Sequence, residues 1–240
     1  MIKNTAKMIV RSLGWDIHRF SPSANHSAQL LAALNYVGAN LVFDIGANVG
    51  QFAQDLRSVG FAGNIVSFEP LSIAHEKLTK AARRDISWHV HPRAALGNID
   101  SQTMINIAGN SVSSSVLPML GAHFSAATES AYIAAEVTPL LRLDSVSPQY
   151  LNNNSRSFIK IDTQGFEWQV LDGAVDTLKS AQGIMLEMSL VPLYEGQHLW
   201  RDLIHRMEAE GLTLWAIQNG FVDHCTGRSL QVDAIFIRNK

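Results

Sequence analysis

Four short apolar segments, each running into a carboxylate, constrain this chain more than any other feature. They are Leu41-Val42-Phe43-Asp44, Ile65-Val66-Ser67-Phe68-Glu69, Phe158-Ile159-Lys160-Ile161-Asp162 and Gly183-Ile184-Met185-Leu186-Glu187. Helical patterns separate them, from about Val49 to Val59, Ile73 to Ala82 and Phe166 to Leu178. Short apolar strands alternating with helices build parallel βαβ units with right-handed crossovers. A further strand is expected at Ile86 to Val90 and a helix at Leu199 to Glu210. Leu212 to Gln218 and Val232 to Ile237 read as an antiparallel pair at the sheet edge. The expected architecture is therefore α/β: a doubly wound, mostly parallel sheet with helices on both faces.

With 240 residues, the chain is long enough for one large domain with a well-buried core. We expect an N-terminal helical extension over 1–40 and one domain over 41–240, interrupted by an insertion at about 99–147. Within that insertion, Thr103 to Ile107 and Glu136 to Leu143 read as strands, Pro118 to Thr128 as a helix, and Asn110 to Ser115 as a polar loop. The extension holds two helical patterns, Ile2 to Gly14 and about His26 to Tyr36. The first is amphipathic and carries Lys3, Lys7 and Arg11, a composition suited to weak peripheral contact with an anionic membrane surface or to packing on the domain. Net charge is −2, which disfavours a nucleic-acid partner held through its phosphates. Cys225 is the only cysteine, so no disulfide within the chain and no thiolate metal cluster can form. No stretch approaches the ~20 apolar residues of a membrane span, and the N-terminus lacks a secretory pattern. The expected location is the cytoplasm.

In an open α/β sheet, ligands bind outside the carboxyl ends of the strands. Acidic residues are poor strand formers, so their repetition at one edge is informative. Asp44 opens Asp44-Ile45-Gly46-Ala47-Asn48-Val49-Gly50-Gln51, whose glycines allow a tight turn and whose following helix start can hold a carboxylate. Glu69, followed by Pro70, stands where it can accept hydrogen bonds from both ribose hydroxyls of an adenosyl ligand. A pyrophosphate-binding loop requires a G-x-G-x-x-G spacing, and here Asn48 replaces the middle glycine. S-adenosylmethionine, with a carboxylate, an ammonium and a sulfonium, fits these features better than a dinucleotide.

Taken together, Val42 to Gln51, Phe68-Glu69-Pro70 and Ile159-Lys160-Ile161-Asp162-Thr163-Gln164-Gly165-Phe166-Glu167 resemble the FkbM family of methyltransferases. Ser113-Ser114-Ser115, Leu143-Asp144 and Leu186-Glu187 extend the resemblance, which covers about Leu41 to Glu195 in the right order. It implies a class I methyltransferase fold, Rossmann-like, with a seven-stranded sheet. It also implies methyl transfer from S-adenosyl-L-methionine, leaving S-adenosyl-L-homocysteine, most often to a hydroxyl of a sugar, glycan, glycolipid or natural-product scaffold. The resemblance carries the cofactor loop onto Asp44, Gly46, Asn48 and Gly50, with Ala47 and Gln51 inside the same stretch. It carries the ribose acid onto Glu69, beside Pro70, and an acid next to the transfer site onto Asp162. Adenine contacts are expected from the backbone near Ala94 and Ala95.

A neutral hydroxyl is a weak nucleophile and needs a base as the new bond forms. Asp162 is the leading candidate, with holding the donor's ammonium as its alternative duty, and Glu187 could orient the acceptor or share the base role. Lys160 lies on the same strand, where pairing with an acid is its expected duty. Ser113, Ser114, His123 and Tyr194 are candidate acceptor contacts. Asp162 and Glu187 offer oxygen ligands for magnesium, but nothing in the pattern demands one and no metal is expected. A catalytically inactive binder of S-adenosylmethionine and an N-methyltransferase acting on a small molecule or protein are the alternative functions. Oligomeric state is not readable.

Overall fold

The computed structural model describes residues 19–239 together with Met8, Ser12, Gly14 and Trp15. The expected helix at Ile2 to Gly14 falls outside the described residues but for three positions. The first complete helix, α1 (His26–Val37), is capped by Asn25, whose side chain accepts from the Ala28 amide at 2.8 Å, and it ends on Gly38 in the left-handed conformation.

Alternation then proceeds as β1 (Leu41–Ile45), α2 (Gln51–Ser58), β2 (Asn64–Phe68), α3 (Ser72–Ala82) and β3 (Trp88–Val90). After a three-strand excursion come β7 (Ser157–Ile161), the short helices α6 (Glu167–Asp172) and α7 (Val175–Ser180), and β8 (Gly183–Ser189). Helix α8 (Trp200–Ala209) and strands β9 (Leu212–Asn219) and β10 (Gln231–Arg238) complete the chain. The main sheet has seven strands in the order β3-β2-β1-β7-β8-β10-β9. Parallel pairing joins β3, β2, β1, β7 and β8, and β10 runs antiparallel to both β8 and β9. The closing pair thus sits at one edge, with β9 outermost.

Every residue of β1 and β7 is buried, which explains their unbroken apolar character: helices cover both faces. On one face, Val42, Ile65, Phe158, Met185 and Ile235 pack against Leu34 of α1, Leu56 of α2 and Leu78 of α3. On the other, Phe43, Ile45, Ile159, Ile161 and Leu186 pack against Val170 of α6, Leu178 of α7 and Leu203 of α8.

The excursion is a second sheet in the order β4-β6-β5, built from β4 (Ala95–Leu96), β5 (Ser101–Ala108) and β6 (Tyr132–Leu141). It starts a few residues before the expected insertion. Two local expectations shift. Only Gly121–Ala126 of the Pro118 to Thr128 segment forms a helix, α4, and β6 ends at Leu141 because Leu143–Val146 winds into the short helix α5. The single helix expected from Phe166 to Leu178 is two helices. Gly173 separates them, and a Cβ there would lie 1.9 Å from the carbonyl oxygen of Gly97. Close approach of two backbones breaks the helix at a point that periodicity cannot register.

Candidate active site

The carboxyl ends of β1, β2 and β7 open into a cavity of ≈ 350 Å³. Its floor is the turn after β1. Gly46, at φ +77°, is required there by the protein itself, since a Cβ would stand 1.8 Å from the carbonyl oxygen of Asp162. The Gly46 and Ala47 amides donate to the Phe68 carbonyl at 3.1 and 3.0 Å, which ties the turn to the end of β2. Asn48 adopts φ +47°, a conformation asparagine tolerates. Its side chain accepts from the Val49 amide at 2.8 Å and donates to Ser111 Oγ at 3.3 Å, so it links the turn to the second sheet. Gly50, at φ +94°, packs under Trp88 and Leu78. Helix α2 then starts with no side-chain cap, leaving its first turn free to meet a ligand's negative charge.

Glu69 directly follows β2 and lines the cavity. Its two carboxylate oxygens accept from the Asn48 amide at 2.7 Å and the Leu71 amide at 2.8 Å. Burial pushes its carboxyl up to about 7, against the pull of these two amides.

The four strand-end acids do not occupy equivalent places. Glu69 and Asp162 directly follow their strands and line the cavity. Asp44 is the next-to-last residue of β1 and is fully buried beneath the floor. One of its oxygens accepts from Ser67 Oγ at 2.8 Å, and Ser67 in turn accepts from Trp88 Nε1 at 2.9 Å. The other lies 3.4 Å from Lys160 Nζ. Glu187 stands inside β8 and accepts from Gln164 Nε2 at 2.6 Å and Gln231 Nε2 at 2.8 Å, away from the cavity wall.

Lys160 is the buried cation of the site. Its ammonium lies 3.5 Å from Asp162, 3.0 Å from the Gly46 carbonyl and 5.4 Å from the centre of the Phe52 ring. Burial alone would discharge it, but Asp162, Asp44 and Asp233 outweigh burial and hold it charged. Pairing with acids is what its place on the strand led us to expect. Asp162 also accepts from Gln164 Nε2 at 2.9 Å, so a single amide group bridges Asp162 and Glu187. Gln164 holds a left-handed φ of +55°, and its carbonyl accepts from Ser115 Oγ at 2.7 Å. The buried Glu167 carboxylate accepts from the amides of Thr163 and Gly165 at 3.0 and 3.1 Å, which fixes the loop that carries these groups.

Of the residues singled out in the sequence, Gly46, Ala47, Asn48, Gln51, Glu69, Pro70, Ala94, Ala95, Ser114 and Asp162 line the cavity. Asp44, Gly50, Glu187, Ser113, His123 and Tyr194 stand behind its wall. His123 is buried with Nε2 3.2 Å from Ser113 Oγ, and burial lowers its imidazole to about 4. Tyr194 packs against His123, and its hydroxyl reaches Gln164 Oε1 at 2.8 Å. Among the described residues, no group of three or more His, Cys, Asp and Glu side chains is arranged to hold a metal ion. Sequence reasoning missed Phe52, Asp55, Ile105, Val116, Met185 and Asp233, all on the cavity wall. A signal existed for Asp233, an acid in the otherwise apolar Val232 to Ile237 strand. The others are ordinary apolar or helix-surface positions, which only the packing brings to one place.

The fold and this cavity define a class I S-adenosylmethionine-dependent methyltransferase. A structure from Klebsiella pneumoniae assigned as an O-methyltransferase shares the fold at a TM-score of 0.50 and 12% identity, covering 98% of this chain and 89% of that one. Fibrillarin from Aeropyrum pernix, whose structure holds natively bound S-adenosyl-L-methionine, aligns at a TM-score of 0.48 and 9% identity over 87% of this chain and 74% of that one. No curated protein matches the chain by sequence. Residues 44–214 match the methyltransferase FkbM domain, and the chain belongs to that family. Its methyl donor is S-adenosyl-L-methionine.

Proposed function

We propose that the protein is an O-methyltransferase acting on a hydroxyl of a sugar, glycan, glycolipid or natural-product scaffold. The observation that carries this reading is the composition of the cavity at the strand ends. Along one wall lie Glu69, the uncapped start of α2 and the apolar side chains Leu71, Leu96, Ile105 and Phe166. These fit an adenosyl amino acid: a carboxylate for the ribose hydroxyls, free amides for the amino-acid carboxylate, and apolar plates for adenine. At the other end stand Asp162, Lys160 and Asp233, a polar group suited to hydroxyls rather than to phosphates.

When bound, S-adenosylmethionine supplies an electrophilic methyl carbon. The chain's own contribution is alignment, water exclusion and charge. Gly46 to Asn48 and Glu69 form one hydrogen-bonded unit that holds the donor's position relative to β7. Asp162 would meet the cationic part of the bound donor, and Gln164 restrains its carboxylate by donating to it. Orientation of this kind contributes several kcal/mol to the rate.

Calorimetry with S-adenosylhomocysteine tests the donor site. Binding to the wild-type protein is expected. Glu69→Gln should weaken it by about 10-fold or more, because a charge-assisted acceptor is lost and an amide donor is turned toward Asn48 and Leu71. Unaltered affinity in that variant would remove Glu69 from the donor site. Incubation with isotopically labelled donor and glycan, glycolipid and small-metabolite fractions tests the chemistry. Label recovered only on nitrogen would favour N-methylation, and donor binding with no transfer to any fraction would favour an inactive binder.

A further inference from the structure

A second cavity of ≈ 160 Å³ lies beside the first, between the N-terminal turn of α1, helix α2 and the strands β9 and β10. His26, Ser27, Leu30, Leu56 and Gln218 line it. Phe52, Asp55, Met185 and Asp233 line both cavities, so the two meet across these four side chains. Gln218 pins the start of α1 over the space by donating to the His26 carbonyl and Gln29 Oε1, both at 3.0 Å.

Asp233 is the one carboxylate at this junction that projects from the sheet. It stands opposite Glu187 in the β8–β10 ladder, with Lys160 on the neighbouring strand β7. Of the other acids, Asp55 stands on helix α2 and, among the described residues, has no side-chain hydrogen bond, while the four on or just past the strands already have partners. Asp44 is held by Ser67 and Lys160, Asp162 by Gln164 and Lys160, Glu187 by Gln164 and Gln231, and Glu69 by two backbone amides. Among the described residues, the Asp233 side chain makes no hydrogen bond and no ion pair within 4 Å, although the charge of Lys160 acts on it. It lines both cavities where they meet.

We propose that the acceptor sits in this second cavity, that it is an uncharged polyhydroxyl compound, and that Asp233 takes the proton from its reacting hydroxyl. This rests on the reading of the large cavity as the donor site. The chemistry of the lining selects the acceptor class. Asp55 and Asp233 accept hydrogen bonds from hydroxyls, Gln218 and Ser27 add amide and hydroxyl groups, and Leu30, Met185 and Phe52 cover the apolar face of a ring. No lysine or arginine lines the space itself and two carboxylates do, so a phosphorylated or carboxylated acceptor is disfavoured there. The proton passes to an Asp233 oxygen as the acceptor oxygen bonds to the methyl carbon. The C–S electron pair stays on sulfur, leaving a neutral thioether, and Asp233 then releases its proton to solvent.

Asp233 is also suited to this in its protonation. Burial and the charge of Asp162 push its carboxyl up to about 7, against the pull of Lys160. The charged and titratable groups around it are Asp44 on β1, Lys160 and Asp162 at the end of β7, Glu187 on β8, Asp55 on α2 and His26 on α1. A base that titrates near neutrality combines a substantial deprotonated fraction with the strongest available pull on the hydroxyl proton.

The test uses the full chain and three readouts. Calorimetry with S-adenosylhomocysteine should give similar affinities for wild type, Asp233→Asn and Ser27→Trp. Labelled-donor assays should show methylation of neutral oligosaccharides and polyols, and not of their phosphorylated or carboxylated counterparts. At saturating donor, Asp233→Asn should lower kcat by about 100-fold or more and abolish the rise of rate with pH near 7. Ser27→Trp, which fills the second cavity, should erase saturation-transfer NMR signals between the S-adenosylhomocysteine-loaded protein and the methylated polyol. Failure of the wild type to bind S-adenosylhomocysteine would sink the donor-site reading beneath this inference. Donor-site binding combined with wild-type turnover in Asp233→Asn, with methylation confined to anionic acceptors, or with no methylation of any neutral polyol would overturn this inference alone.

Discussion

Asp44 and Glu69 end neighbouring segments of the sequence in the same way, yet their surroundings assign them opposite work. Asp44 is enclosed by Ser67, Trp88 and Lys160, with no face on the cavity. Asp44→Asn therefore removes a counter-charge from a buried ammonium, and uncompensated buried charge is costly. The expected result is a loss of about 3 kcal/mol in denaturant-unfolding stability, larger than its effect on donor affinity. Glu69 faces the cavity, and burial raises it from an ordinary 4.5 to about 7, as it does Glu167. Between these pH values the folded protein binds protons that the unfolded chain has released. Ligand-free stability should therefore be greatest at the acid side of this window, decline as pH rises from about 4.5 to about 7, and level off above it. Thermal midpoints at pH 6 and pH 8 check this, with the lower midpoint expected at pH 8. If Glu69 holds the ribose as proposed, donor binding should run the other way, since only the ionised carboxylate offers both oxygens to hydroxyls. The affinity for S-adenosylhomocysteine is expected to rise across neutrality.

Among the elements, the turns carry the most constraint. The turn after β1 is held by three backbone or side-chain bonds to β2 and its continuation, and Gly46 lets the end of β7 approach it. A similar approach governs the break between α6 and α7. Gly173→Ala would place a methyl group inside the contact radius of the Gly97 carbonyl, forcing α6 away from the strand β4 region. We expect a loss of about 3 kcal/mol in unfolding stability, even though alanine is the better helix former. A variant as stable as the wild type would show that the two segments separate without cost. The helix-forming pattern from Phe166 to Leu178 was legible, because it records which side chains face the core. The break was not, because it records where another backbone passes.

At the scale of the molecule, the site depends on the second sheet as much as on the first. Ile105, Ser111, Val112 and Ser114 reach the cavity from the excursion, and Asn48 and Ser115 bind it to the main sheet. Tyr194, in the connection after β8, closes this arrangement: its hydroxyl lies 2.8 Å from Gln164 Oε1 and 3.2 Å from the Ser113 carbonyl. Tyr194→Phe leaves a buried amide oxygen without its donor, at a cost of about 1–3 kcal/mol. Because Gln164 bridges Asp162 and Glu187, turnover should fall several-fold while affinity for S-adenosylhomocysteine changes little. Steady-state kinetics and calorimetry on the same preparation separate the two effects. His123 and Tyr194 were singled out in the sequence for their chemistry, and they stand instead as the packed backing of the loop that does reach the cavity.

The order of strands and helices in the main sheet, its apolar faces and the glycine turn that lines the cavity were all determined by the sequence alone. Each is a local matter, since hydrophobic period and glycine spacing act over a few residues and the chain writes them in contiguous form. The family motif, likewise contiguous, led to the methyl donor. What only tertiary structure decided is which carboxylate faces the cavity and which is buried against a lysine. The same alternation of side chains along a strand sends Asp44 below the floor and leaves Glu69, one residue past its own strand, on the wall. Asp233 joins them from the far end of the chain through β10, inserted antiparallel between β8 and β9. A contact of that kind is set by strand order in the finished sheet, and no stretch of neighbouring residues contains it.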